Sequence, residues 1–131
     1  MASILGEHLS KARMGDLMSL DHLMQVPGAL AAFQYSDKGD LTQHVIREGT
    51  ELTPQVLDLL AHTCVANVAI ATMEARGWEA LTGQQGFEPV QGFSLVGLDW
   101  SAVVGGNCGV VLRNRDVDYE AAFAALSQCK A

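Results

Sequence analysis

Three cysteines, Cys64, Cys108 and Cys129, are the residues of this 131-residue chain with most to offer chemically. A thiol is a nucleophile only as the thiolate, which needs exposure and a nearby cation or helix N-terminus to lower its pKa. Cys64 falls within Cys64-Val65-Ala66-Asn67-Val68-Ala69-Ile70-Ala71, where Asn67 is the one polar side chain. In such surroundings a cysteine is most simply a small buried hydrophobe. The chemical reading is a redox-active or persulfide-carrying thiol at Cys64 or Cys108. An odd number of widely spaced cysteines permits neither a disulfide framework nor a C-x-x-C knuckle, so all three are expected as reduced thiols.

The other polar groups make weaker constellations. Gly105-Gly106-Asn107-Cys108-Gly109 has the glycines of a phosphate-cradling loop but lacks the lysine and Ser/Thr of a P-loop, and reads as a hairpin turn. His8, His22, His44 and His62 show no H-E-x-x-H pairing, and His62 and Cys64, two apart on a helix, do not face each other. Asp37 and Asp40 sit in the turn Ser36-Asp37-Lys38-Gly39-Asp40, and Glu48 and Glu51 flank Gly49 in a solvated loop. No metal site, no cofactor and no catalytic residue is expected, and the chain is not expected to be an enzyme.

The element that positions Cys64 is one long helix, expected from Thr53 to Arg76. Thr53 supplies a hydroxyl N-cap, Pro54 fits the first helical position, and Gly77 offers a stop. Leu57, Leu60, Cys64, Val68 and Ala71 form a core stripe at three- and four-residue steps. A second apolar stripe, Val56, Leu59, Ala66, Ile70 and Met73, is rotated from the first. A helix on a single sheet has no use for two stripes, while Ala61, Ala66, Ala69 and Ala71 would admit a close second backbone. The second stripe is therefore expected to be a homodimer interface, the alternative being a helix sandwiched within one subunit.

Around this helix the residues predict helix, two strands, long helix, three strands, helix. Residues 1–13 read as an N-terminal extension and 14–131 as one domain. Asp16 caps a helix carrying Leu17, Leu20, Leu23 and Met24, ended by Pro27-Gly28. Leu30 to Tyr35 is apolar on both faces, Leu30 and Ala32 opposite Ala31, Phe33 and Tyr35, and suits an interior strand; Leu41 to Arg47 is more polar and suits an edge. Val90 to Val96, Trp100 to Val104 and Gly109 to Arg113 form a meander. Asp116 or Asp118 caps a last helix with Tyr119, Ala122, Phe123 and Leu126 facing the core.

Composition narrows the partners. Charged residues are only 18% of the chain against roughly 25% in an average soluble domain, a deficit that fits burial of surface in an oligomer. A net charge of −7 repels phosphate backbones and anionic lipid, so neither nucleic acid nor membrane is an expected partner. With no apolar run near the roughly 20 residues of a membrane span and unpaired cysteines, a cytoplasmic location is expected.

This succession resembles the roadblock-type fold of dynein light chains and of bacterial partners of small GTPases, and more narrowly an uncharacterised bacterial family of small roadblock-like proteins. The residues that carry the resemblance are Pro27-Gly28, Ser36-Asp37-Lys38-Gly39, Cys64-Val65-Ala66-Asn67, and Pro89-Val90-Gln91-Gly92-Phe93 through Asp99-Trp100 to Gly106-Asn107. The resemblance spans about Met14 to Leu126. It implies an α+β fold, a five-stranded antiparallel sheet with the long helix on one face and the terminal helices on the other, dimerising through long helices and edge strands. The function expected is that of a non-enzymatic homodimeric adaptor or regulatory scaffold for a protein such as a small GTPase or another regulatory component. Two alternatives stand beside it. One is a redox or sulfur-handling accessory protein using Cys64 or Cys108, a role suggested by the family's presence in sulfur-oxidising bacteria. The other is small-ligand binding at the dimer junction, with Trp78, Phe87 and Trp100 as aromatic walls.

Overall fold

The structure, a computed structural model, describes residues 20–129. The extension expected over residues 1–13, and Asp16 and Leu17 of the first expected helix, lie outside the described residues. Five strands, β1 (Ala29–Tyr35), β2 (Leu41–Ile46), β3 (Gly92–Val96), β4 (Trp100–Gly105) and β5 (Cys108–Arg113), form one sheet in the order β2-β1-β5-β4-β3. Every pairing is antiparallel. The sheet lies between a long helix, α1 (Pro54–Thr82), on one face and, on the other, the helical residues 20–23 with α2 (Tyr119–Leu126).

Strands β1, β4 and β5 are interior and buried almost throughout, because both of their faces are covered. On the terminal-helix side Leu20, Leu23, Ala122 and Leu126 pack on Ala32, Val103, Val110 and Leu112. On the α1 side Leu57, Ala61 and Cys64 pack on Ala31, Phe33, Tyr35 and Val111. Leu30 joins this second cluster instead of pairing with Ala32, since the register slips between Ala29 and Ala31. Arg47 ties the start of β1 to the first helix, donating from Nε to the Ala29 carbonyl at 2.8 Å and from its terminal nitrogen to the Met24 carbonyl at 3.2 Å.

The long helix begins as its sequence dictates: the Thr53 hydroxyl accepts from the Val56 amide at 3.2 Å, and Pro54 follows. It ends later than expected. Gly77 is an ordinary helical residue, and the stop is Gly83 at φ +72°, a left-handed position that glycine adopts without steric penalty. The buried residues of α1 are Leu57, Ala61, Cys64 and Ala75, with Leu60, Val68 and Ala71 only half-buried. Ala61, expected to admit a second chain, instead lets the helix approach its own sheet. Contrary to the expected lack of any such segment, α1 is long and apolar enough by length and composition to cross a bilayer. Its contacts are those of a helix lying on a sheet along one side.

Asp118, not Asp116, caps α2, its carboxylate accepting from the Ala121 amide at 3.0 Å, while Asp116 belongs to a 3-10 turn, Asn114–Asp116. Tyr119 and Phe123, expected in the core, are only partly covered, at 36% and 38% exposure, and Ala122, Ala125 and Leu126 face inward.

Beneath α1, Phe33 lies across Gly109 of the neighbouring strand, and a Cβ at position 109 would run into the ring. Gly109→Ala is expected to lower stability by about 1–3 kcal/mol, the usual range for overpacking a filled core, and Phe33→Leu in the same chain should recover part of the loss. Denaturant unfolding measures both; a Gly109→Ala chain as stable as the parent would show that the ring moves aside freely.

Candidate functional site

The thiols separate into two environments. Cys64 is fully buried on the sheet-facing side of α1, and burial pushes its pKa up to about 11. The thiolate is therefore disfavoured where nucleophilic chemistry would need it. Tyr35, in the same cluster, is also pushed up to about 12, by burial first and by the charge of Cys64 second, and its hydroxyl donates to the Gly106 carbonyl at 3.2 Å. Cys108 and Cys129 are not the free thiols expected of them. They are joined as a disulfide between the start of β5 and the end of the chain after α2, with Cα atoms 6.4 Å apart. Their spacing of 21 residues announces no motif, so only the fold brings them together.

The remaining polar candidates are structural. Gly105-Gly106-Asn107-Cys108 makes the tight β4–β5 connection, and the Asn107 side chain donates to Asp37 at 3.4 Å, linking two turns at one end of the sheet. His62 is exposed on α1, its Nδ1 2.8 Å from the Asp58 carbonyl and its Nε2 3.9 Å from Asp40. The Asp58 carbonyl first, and the two carboxylates after it, raise the His62 pKa. No group of three His, Cys, Asp or Glu suited to a metal occurs among the described residues. Glu48 and Glu51 are exposed.

What the described residues do present is an apolar surface. Leu59, Ile70 and Met73 are 70%, 56% and 71% exposed in the single chain, and Val56 and Ala66 are exposed beside them. Asn67 is half-buried on the flank of this face. Alongside runs a groove of about 490 Å³ between the first half of α1 and strands β3 and β4, walled by Leu52, Val56, Leu60, Leu95, Trp100 and Ala102, with Thr63 and Ser101 its only hydroxyls. The groove is bounded by β3, an edge strand whose outer backbone groups have no partner strand among the described residues. An exposed apolar edge next to an exposed apolar helix is a template for another chain.

Leu95, Val96 and Leu98 extend this surface and were not among the residues expected there. The signal was available: Leu95-Val96-Gly97-Leu98 is apolar on both faces, which an edge strand in water would not tolerate. The three aromatic candidates do not share one groove within the chain. Trp78, on the part of α1 beyond its expected end, meets Phe87 edge-on with ring centres 5.2 Å apart, whereas Trp100 lines the separate β3–β4 groove.

Two polar devices hold this surface. Oε2 of Glu79 accepts from the amides of Gly86, Phe87 and Glu88 at 3.0, 3.0 and 3.1 Å, fastening the loop after α1 back onto the helix. Those hydrogen bonds, that of Glu88 foremost, lower the Glu79 pKa. Arg76 and Glu88 pair at 2.9 Å across the same loop. At the other end of β3, buried Ser101 donates to the Asn114 side-chain oxygen at 2.5 Å and lies 3.1 Å from the Tyr119 hydroxyl. The Asn114 side-chain nitrogen donates to the carbonyls of Gly97 and Leu98 at 2.9 and 3.0 Å, fixing the β3–β4 turn.

A family model described as an uncharacterised conserved protein matches residues 19–128. The chain belongs to the DUF2173 family. No curated protein matches it in sequence. Among solved structures, the gliding protein MglB from Thermus thermophilus superposes with a TM-score of 0.70 at 18% identity, covering 92% of each chain. A roadblock/LC7 domain from Streptomyces avermitilis gives 0.61 at 13% identity over 87% of this chain and 89% of that one. The Myxococcus xanthus MglB gives 0.60 at 16%, over 87% and 90%. The fold of this DUF2173 protein is the roadblock fold, as its sequence suggested.

Two outcomes follow from the site. Cys64 should alkylate far more slowly in the native DUF2173 protein than in denaturant, followed by mass spectrometry at neutral pH; faster native labelling would demand an activated thiolate and return the thiol reading to the front. For Glu79, a lowered folded pKa means its hold on the loop is complete above the ordinary carboxyl pKa of 4.5 and is lost as pH falls through the lower folded value. Hydrogen exchange at Gly86, Phe87 and Glu88 should accelerate in Glu79→Gln at neutral pH, and in the parent only in acid below pH 4.5. Unchanged protection in Glu79→Gln would mean the carboxylate is dispensable.

Proposed function

We propose that this DUF2173 protein is a non-enzymatic homodimeric scaffold that binds a protein partner, its two copies joined through α1 and the β3 edge. The observation that carries the reading is the coincidence, on one side of the molecule, of an exposed apolar helix face, an apolar groove and an unpaired strand edge. Exposed separately, each is a liability; together they make a surface that a second copy can cover while continuing the sheet. The chain's 18% charged residues support the same reading. One of the similar structures is described as MglB in a tetrameric arrangement, at 19% identity and a TM-score of 0.68. The roadblock resemblance suggests a small GTPase or another regulatory component as the protein bound.

The interface residues of this reading are Val56, Leu59, Ala66, Ile70 and Met73. Light scattering at micromolar concentration is expected to give twice the 14.0 kDa chain mass. Ile70→Glu should raise the dissociation constant by at least tenfold, the equivalent of about 1.4 kcal/mol. His44→Glu, exposed on the opposite edge strand β2, should leave it unchanged. A monomeric parent, or equal effects of the two substitutions, would remove the basis for the scaffold.

A further inference from the structure

We propose that Leu98, at the tip of the β3–β4 hairpin, seats in an apolar pocket of a second copy of the chain formed by Ala71, Ala75, Trp78, Phe87 and Val90. The proposal rests on the homodimer reading above and adds to it a specific reciprocal contact. Leu98 is the most exposed large apolar side chain among the described residues, at 93%. Its backbone is nevertheless held: Asn114 grips the Gly97 and Leu98 carbonyls, the Asn114 amide donates to Asp99 at 2.8 Å, and Gly97 donates to Trp100 at 2.8 Å. An exposed leucine on a fixed turn is a preorganised knob, because little ordering remains to be done on docking.

The receptor is also formed in advance. The pocket encloses about 230 Å³ at the far end of α1, with Glu74 on its rim. Its aromatic wall is the edge-on Trp78–Phe87 pair, and the loop bearing Phe87 is fastened by Glu79. Leu98 cannot reach this pocket in its own chain. Val90 and Leu98 lie beyond opposite ends of β3, whose five residues alone span roughly 17 Å at about 3.3 Å per residue.

Twofold symmetry brings the two together. The first half of α1 shares its groove with Val96 and Gly97, whereas Ala71 to Trp78 lie beside Val90, so α1 runs alongside β3 and opposite to it in direction. A twofold axis through the middle of the β3 edge makes both the paired strands and the paired helices antiparallel. With the axis at Ser94, the centre of β3, Leu98 of one copy stands opposite Val90 of the other. Charge supports this register. Arg113 and Arg115 line the depression beside Leu98, together with Asp99, and Arg113 has no ion pair among the described residues; Glu74, on the pocket rim, has none either. The register brings these unpaired opposite charges to the same end of the interface.

Two measurements on the full chain test the contact. In a double-mutant cycle on the dissociation constant, by sedimentation equilibrium, Leu98→Ala and Trp78→Ala should each weaken the dimer about 5- to 50-fold, and the double variant should weaken it by clearly less than the product. Under mild oxidation, Leu98→Cys mixed with Phe87→Cys should give a covalent dimer, while neither variant alone should. A dimeric parent with multiplicative effects and no mixed cross-link would overturn the Leu98 contact and leave the dimer reading standing. Cross-linking of Leu98→Cys to itself would place the tips together and overturn the register. A monomeric parent would remove both readings.

Discussion

A helix of 29 residues lies across strands of five to seven, and that mismatch of length governs the rest of the molecule. At 1.5 Å per residue α1 is about 44 Å long, whereas a seven-residue strand covers about 23 Å. The sheet can shield only part of such a helix, and just four of its residues are buried. The helix also sits to one side, over β1, β2 and β5, so that β3 and the outer part of β4 are left open on that face. Everything that distinguishes this surface follows: the groove, the apolar stripe and the bare strand edge are what remains when a long apolar helix covers half a sheet.

The architecture was legible because its main signals are local. Thr53-Pro54 marks the helix start through one hydroxyl and one missing N–H, and doubly apolar runs mark the interior strands. The far end of α1 was misread at Gly77. A glycine inside a helix costs only about 1 kcal/mol relative to alanine, and the true stop depends on the left-handed geometry of Gly83 together with a carboxylate that reaches seven to nine residues ahead. The core stripe was half right for a related reason. Periodicity found Leu57 and Cys64, but it rewards bulk, and the other buried residues of the helix are Ala61, packed on the sheet, and Ala75, which have little side chain to show.

The candidate site was legible only where it lies on the helix. The exposed stripe from Val56 to Met73 follows from helical spacing. The β3–β4 tip does not, since its order comes from Asn114 and Ser101, distant from it in sequence and unremarkable in type. Ser101 is the one buried polar residue among those described, and its burial is tolerable because its hydroxyl is matched to Asn114 and Tyr119. The Cys108–Cys129 pair shows the same limit in another form, as two cysteines that no spacing rule would join are brought side by side by α2 folding onto the sheet.

The fastening of the 83–91 loop has a consequence for how this segment can vary. The donors to Glu79 are main-chain amides, so the arrangement is indifferent to the side chains at positions 87 and 88 provided neither is proline, which has no N–H to give. It is not indifferent to count. Removing or adding one residue between Gly83 and Glu88 would carry the amides off the carboxylate and swing the Phe87 ring away from Trp78. The Glu79 clasp thus sets the length of the connection between α1 and β3 and not its side chains, while Phe87 and Glu88 are tied separately, to Trp78 and Arg76.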